Sequence, residues 1–169
     1  PETTLKRAKK LFPDVRFQQT YGLIELGVLR SKSKSDDSLW VKLGGEGYDL
    51  RVVDNMLEIK AESAILGYLN AKSPFTFDGY FITGDQVEVD GEYYKILGRK
   101  SELINVGGDK VYPQEVENVI LSMENVMEVT VYGQNHAIMG NIVCVKVLLK
   151  EKEEKKEFSR RLKAFCKER

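Results

Sequence analysis

Between residues 39 and 97, short apolar runs alternate with dipeptides that tight turns demand, and this pattern restricts the fold more than any other feature of the chain. The runs at 39–42, 49–53, 57–61, 86–89 and 93–97 are too short for ordinary helices and mix apolar with polar residues at a spacing near two. Asp54-Asn55 and Asp90-Gly91 separate consecutive runs. Both pairs tolerate the left-handed backbone that two-residue hairpin loops require. The spacing predicts antiparallel β structure, as a small sandwich or a distorted, barrel-like subdomain. A further strand is expected at 15–18, and a helix at 2–11 with Leu5, Ala8 and Leu11 or Phe12 on one stripe, stopped by Pro13. The serine-rich stretch 31–38 reads as a surface loop.

From Gly98 the pattern changes. Gly107 and Gly108 precede Pro113, a residue suited to the first helical position, and Val116, Val119, Ile120 and Met123 then recur at helical spacing. Strands follow at 126–132 and 141–149. A charged helix at 153–167 carries Phe158, Leu162 and Phe165 on one face. The expected fold class is α+β: an antiparallel β sandwich or barrel-like subdomain at 1–98, followed by a small α+β C-terminal domain at 99–169.

Charge excludes some functions. The 26 Lys and Arg balance the 26 Asp and Glu, so no overall positive field gathers nucleic acid or an anionic membrane. Apolar runs such as 142–145 are far too short to span a bilayer, and 1–11 has no apolar signal core. A cytoplasmic chain without membrane spans is expected. Cys144 and Cys166 have no neighbouring His or Cys to complete a zinc set, and are expected as reduced thiols. His136, the single histidine, is expected in a solvated turn at 134–136.

Four clusters carry chemistry: Tyr21-Gly22-Leu23-Ile24-Glu25, Tyr80 through Asp85, Gly98-Arg99-Lys100-Ser101, and residues 104–117. Each alone is ordinary turn chemistry. In this order they resemble the adenylate-forming superfamily of acyl-CoA synthetases, nonribosomal adenylation domains and beetle luciferase. Tyr21 to Glu25 is similar to the family's Tyr-Gly-x-Thr-Glu motif. Gly67-Tyr68, Gly79-Tyr80 and Tyr80 to Asp85 resemble its Gly-Tyr and Tyr-x-Thr-Gly-Asp elements, and GRKSELINVGGDKVYPQEVE resembles its hinge and the opening of its small mobile domain. The family's phosphate loop and late lysine have no counterpart here, so the resemblance implies a C-terminal fragment with a truncated small domain, inactive by itself.

The resemblance implies roles that simple chemistry can be set against. Tyr21 and Gly22 would meet the adenine; a tyrosine face can stack on a base, or simply cover a sheet edge. Glu25 would be the catalytic carboxylate and the Mg²⁺ ligand, a hard-cation donor that is otherwise one more surface glutamate. Asp85 can accept from both hydroxyls of a ribose, and Arg99 can add a donor fork; their bland alternatives are a turn aspartate and a salt bridge to Glu102 or Glu88. Gly107 and Gly108 would let the backbone approach a pantetheine arm, with Lys110 near a coenzyme phosphate. Lys100 and Ser101 would be the hinge. Ile24 departs from the family's threonine and cannot donate to a phosphate.

The function this resemblance implies is ATP-dependent activation of a carboxylic acid as acyl-AMP and its transfer to a thiol. The implied cofactors are ATP or AMP, Mg²⁺ and CoA, and the implied partners are a small carboxylic acid and CoA or a pantetheinyl carrier protein. The alternative is a non-catalytic nucleotide-binding or assembly module that keeps the fold.

Overall fold

A computed structural model describes residues 2–168. The chain divides into two compact units, Lys9–Ser101 and a second that gathers the chain up to Ala8 with Glu102 onward.

The first unit is a single antiparallel sheet. Its strands are β1 (Tyr21–Leu23), β2 (Gly27–Ser33), β3 (Val41–Gly44), β4 (Tyr48–Val53), β5 (Met56–Ala61), β6 (Phe81–Asp90) and β7 (Tyr93–Arg99). They lie in the order β1-β2-β3-β7-β6-β5-β4, so the sheet is open, with β1 and β4 at its edges. Apolar side chains build one core from Leu26, Leu29, Val41, Leu43, Leu57, Ile59, Phe81 and Val87. The hairpin joining β4 to β5 turns on Asp54 and Asn55, whose φ values of 50° and 62° fit a two-residue loop. The β6–β7 hairpin pairs Asp90 with Tyr93, so its loop is Gly91-Glu92, one residue later than the sequence pattern placed it.

Two other local expectations are corrected. Residues 15–18 form no strand; alternation over four residues with Pro13 beside it finds no ladder partner. Residues 31–33, read as loop, belong to β2 and pair with β3, because the ladder satisfies their backbone groups whatever the side chains.

In the second unit, β8 (Ile104–Val106) and β9 (Asp109–Val111) form a tight hairpin, then come α2 (Pro113–Leu121), β10 (Val126–His136), β11 (Gly140–Leu149) and α3 (Lys155–Lys167). The sheet order is β10-β11-β8-β9. Pro113 occupies the first turn of α2, where its missing N–H costs nothing. Ile104, Ile120, Met123, Val126 and Val131 form the core, and Phe158, Leu162 and Phe165 of α3 pack on it as their spacing predicted. Glu154 caps α3 by accepting from the Glu157 N–H at 3.0 Å. Residues 134–136 extend β10 instead of forming a turn, and the chain reverses at 137–139.

Helix α1 (Glu2–Leu11) has no buried residue, and Leu11 is 73% exposed, so its apolar stripe is not core. Both cysteines are free thiols. Among the described residues, no helix is long and apolar enough to cross a membrane.

Candidate nucleotide site

Strand β6 shows how the site is made. Its residues alternate between buried and open faces, and period two puts Thr83 and Asp85 on the buried side with Phe81 and Val87. Two polar residues thus occupy core-facing positions. The strand can bury them because their bonds are met: the Thr83 hydroxyl donates to the Leu57 carbonyl at 2.7 Å and accepts from the Asp85 N–H at 3.0 Å. On the β5 side the register slips between Met56 and Glu58, across the stretch of β6 that holds Gly84 at φ 81°. Such a bulge re-aims side chains, and a non-glycine residue would be strained at that φ.

Asp85 collects two partners. Across the β6–β7 ladder it pairs with Arg99, whose Nε stands 3.6 Å from Oδ1. The Tyr21 hydroxyl donates to Oδ2 at 2.6 Å. The second contact bears on the whole sheet. Four strand spacings separate β1 from β6 in the sheet order, roughly 19 Å if flat at about 4.8 Å each. A tyrosine cannot reach that far, so the sheet curls strongly without closing. Burial pushes the Tyr21 phenol well above its ordinary range, and the hydrogen bond to Asp85 adds to the rise. It remains a neutral donor. Gly22, beside it, has a packing reason of its own: a Cβ there would meet the Gly27 carbonyl oxygen at 2.8 Å and the Val28 Cα at 2.9 Å.

Glu25 lies in the β1–β2 turn and is partly exposed. Its Oε1 accepts from the Tyr68 hydroxyl, and its backbone carbonyl accepts from the Ile65 N–H at 2.9 Å. The Tyr68 bond is the main reason its carboxyl lies below the usual range, with its own backbone N–H and the charge of Arg99 acting in the same sense. Ile24, next in the turn, is 99% exposed.

The first unit therefore brings Tyr21, Asp85 and Arg99 into one cluster and sets Glu25 within reach of the Arg99 field. Of the salt bridges considered for Arg99 from sequence, neither Glu102 nor Glu88 takes it: Glu88 pairs with Lys95.

Gly107, Gly108 and Lys110 lie in the second unit. Gly107 (φ 60°) and Gly108 (φ 104°) are the two turn residues of the β8–β9 hairpin. Their N–H groups donate to the Met139 carbonyl at 2.8 Å and to Asn105 Oδ1 at 3.0 Å. Lys110 is exposed on β9. His136 Nδ1 accepts from the Ile138 and Met139 N–H groups, both at 3.3 Å, which gives the histidine a turn-forming role. Lys100 and Ser101 begin a short 3₁₀ turn, Lys100–Glu102.

Sequence reasoning assigned no role to Thr83 or to the Tyr68 hydroxyl. The signal for Thr83 was present, since a hydroxyl at a core-facing period-two position needs a purpose. Tyr68 gave none, because its partner is 43 residues away.

The fold defines an α+β protein of antiparallel sheets, and comparison with known proteins makes the class specific. The AMP-binding enzyme C-terminal domain family matches residues 115–169. The 2-succinylbenzoate–CoA ligase of Geobacillus sp. (strain WCH70) is 33% identical over 168 residues, covering 88% of this chain and 33% of the relative. Among solved structures, the ATP-bound RpMatB-BxBclM chimera B1 aligns with a TM-score of 0.78 at 33% identity, over 89% of this chain and 34% of that one. The anthranilate CoA ligase AuaEII in complex with anthranoyl-AMP shares the fold, with a TM-score of 0.81 at 24% identity over 99% of this chain and 36% of its own. The chain belongs to the adenylate-forming superfamily. It spans about a third of the length of the 2-succinylbenzoate–CoA ligases it matches.

Proposed function

We propose that this chain supplies the adenosine-binding end and the mobile end of an ATP-dependent acid–thiol ligase. A carboxylate oxygen attacks the α-phosphorus of ATP and pyrophosphate leaves; a thiol sulfur then attacks the acyl carbonyl and AMP leaves. CoA or a carrier pantetheine is the thiol. The observation that carries the reading is Asp85, a nearly buried carboxylate with Arg99 on one oxygen and the Tyr21 hydroxyl on the other.

In this reading Asp85 accepts from the ribose hydroxyls while Arg99, more than half exposed, holds the negative charge in place and can donate to the same sugar. The Tyr21 ring stacks on adenine, and Gly22 keeps β2 close enough to hold it there. Glu25 would hold a Mg²⁺ carried on nucleotide phosphates, and its donor chemistry fits that role. Mg²⁺ takes one or two carboxylates and fills its octahedron with water and phosphate oxygens. A partly exposed carboxylate with one oxygen committed to a phenol meets that need, and no group of three or more His, Cys, Asp or Glu stands ready for a metal among the described residues. When bound, Mg²⁺ neutralises charge on the phosphate oxygens. Ile24, fully exposed, contributes no phosphate contact.

Lys100 and Ser101 are the hinge, and the Gly107-Gly108 turn with Lys110 meets the pantetheine arm and a coenzyme phosphate. The test is to measure adenylate formation and thioester formation separately in the full-length ligase. Ser101→Pro, which fixes φ and removes a donor, should depress one half-reaction and leave the other within about twofold. Equal loss in both would overturn the hinge. The 169-residue chain alone should show ATP–pyrophosphate exchange at background, and exchange at the full-length rate would refute the reading of it as part of a larger site.

A further inference from the structure

The 19 residues between β5 and β6, 62–80, form no regular strand, yet they hold the β1–β2 turn at three points. The Ile65 N–H donates to the Glu25 carbonyl at 2.9 Å, the Ser63 hydroxyl donates to the Leu26 carbonyl at 2.9 Å, and the Tyr68 hydroxyl donates to Glu25 Oε1. The first two bonds fix the backbone of the turn. Only the third touches the carboxylate.

Gly67 explains how the tyrosine arrives there. Its φ is 148°, in the region that favours glycine, and a Cβ at this position would meet nothing within 4 Å. The glycine is therefore present for its conformation and not for lack of room. The backbone it permits returns the next residue toward Glu25. Tyr68 itself is 44% exposed, so little core burial accounts for its placement.

A partly exposed glutamate such as Glu25 has three rotatable bonds, and ordering it around a cation costs conformational entropy at the moment of binding. A donor already fixed to one oxygen lowers that cost and leaves the other oxygen free. We propose that Tyr68 is a positioning residue for Glu25: its hydroxyl holds Oε1 so that Oε2 is set to take a divalent cation carried on nucleotide phosphates. This rests on the reading of Glu25 given above. It adds that the segment after β5, which carries no ligand of its own, sets the metal affinity of the turn.

The experiment is calorimetric ATP binding to the full-length ligase at a series of Mg²⁺ concentrations, with adenosine as a phosphate-free control. Tyr68→Phe keeps the ring and loses the donor. It should raise the Mg²⁺ concentration for half-maximal ATP affinity about three- to tenfold, as expected for one lost hydrogen bond of ordinary strength. Adenosine binding should stay within about twofold. Gly67→Ala, which disturbs the backbone and not the hydroxyl, should shift the Mg²⁺ requirement in the same direction. In a Glu25→Gln background Tyr68→Phe should add nothing, since the two act through one interaction. A Mg²⁺ requirement unchanged in Tyr68→Phe, while Glu25→Gln raises it tenfold or more, overturns the positioning role alone. No shift in Glu25→Gln overturns the metal reading of Glu25 beneath it. Equal loss of adenosine and ATP binding in Tyr68→Phe also overturns the proposal, by showing that the loop supports the fold and not the carboxylate.

Discussion

The residues assigned to ligands in the proposed reading are tied to one another by side chains in the first unit, whereas those of the second unit offer mainly backbone. Asp85 is 6% exposed and has the Tyr21 hydroxyl, Arg99 and the Thr83-bonded backbone around it. Gly107 and Gly108 present amides at a hairpin tip, and Lys110 stands in solvent. The difference teaches that the two units contribute in different ways. Groups locked by packing and hydrogen bonds before a ligand arrives pay no reorganisation on binding. A hairpin turn of two glycines can adjust, and its contribution depends on conformation more than on fixed charge.

The largest expected effect tests whether each unit keeps its own stability. Leu57 is fully buried in the first core, and Leu57→Ala should cost about 2 to 5 kcal/mol of that unit's stability. Trp40, the single tryptophan, belongs to the first unit and reports its urea transition by fluorescence. Ile120→Ala in the second core should leave the Trp40 transition in place. Equal shifts from both changes would break the comparison, because the units would then unfold as one.

Next comes the locked site itself. In the full-length ligase Asp85→Ala should weaken ATP and acyl-AMP binding by about 1.5 to 3 kcal/mol, the range for a hydrogen bond to a charged group. Calorimetry reads it. Affinity unchanged in a folded variant would remove Asp85 from the site and with it the contrast between the two units.

A smaller effect is expected at the hairpin tip. Gly107→Ala places a Cβ 3.0 Å from the flexible end of Met139, which can move aside, but also puts a non-glycine residue at φ 60°. The conformational cost is about 1 to 2 kcal/mol. Thioester formation should fall more than adenylate formation, and the opposite order would shift the role of this turn to the first half-reaction.

The smallest effect is a pH dependence. Asp78 receives hydrogen bonds from Arg51 and from the Thr76 hydroxyl, which hold its carboxyl at about 2 against an ordinary 3.8. A depressed value means that its contribution to stability is complete above the ordinary range and is lost as pH falls from about 4 toward 2. Asp78→Asn should flatten the acid side of the first unit's stability profile over that window, and added salt should shrink the difference because the pair is exposed. NMR titration of the Asp78 carboxyl near 3.8 would contradict the pairing.

Much of this was legible in the sequence, for reasons that are local. Asp54-Asn55 marks a hairpin because two adjacent residues must take positive φ, and Phe158, Leu162 and Phe165 mark a helix face because backbone geometry alone sets their spacing. Pro113 opens α2 for the same kind of reason. Where local information misled, a ladder decided otherwise: serines at 31–33 were recruited into β2 by the neighbouring strand, while 15–18 had the right alternation and no strand to pair with.

By itself the sequence determined the α+β class, the hairpins, the helices and, through motifs in a fixed order, the superfamily. It could not determine which of its polar residues meet. Tyr21 and Asp85 are 64 residues apart and four strands removed in the sheet, and only the curl of that sheet brings hydroxyl and carboxylate to 2.6 Å. Strand pattern is written in neighbouring residues, since each φ and ψ answers to adjacent atoms. Curl is a sum of small twists, a bulge at Gly84 and the packing of one shared core, and no stretch of chain contains that sum before the sheet is assembled.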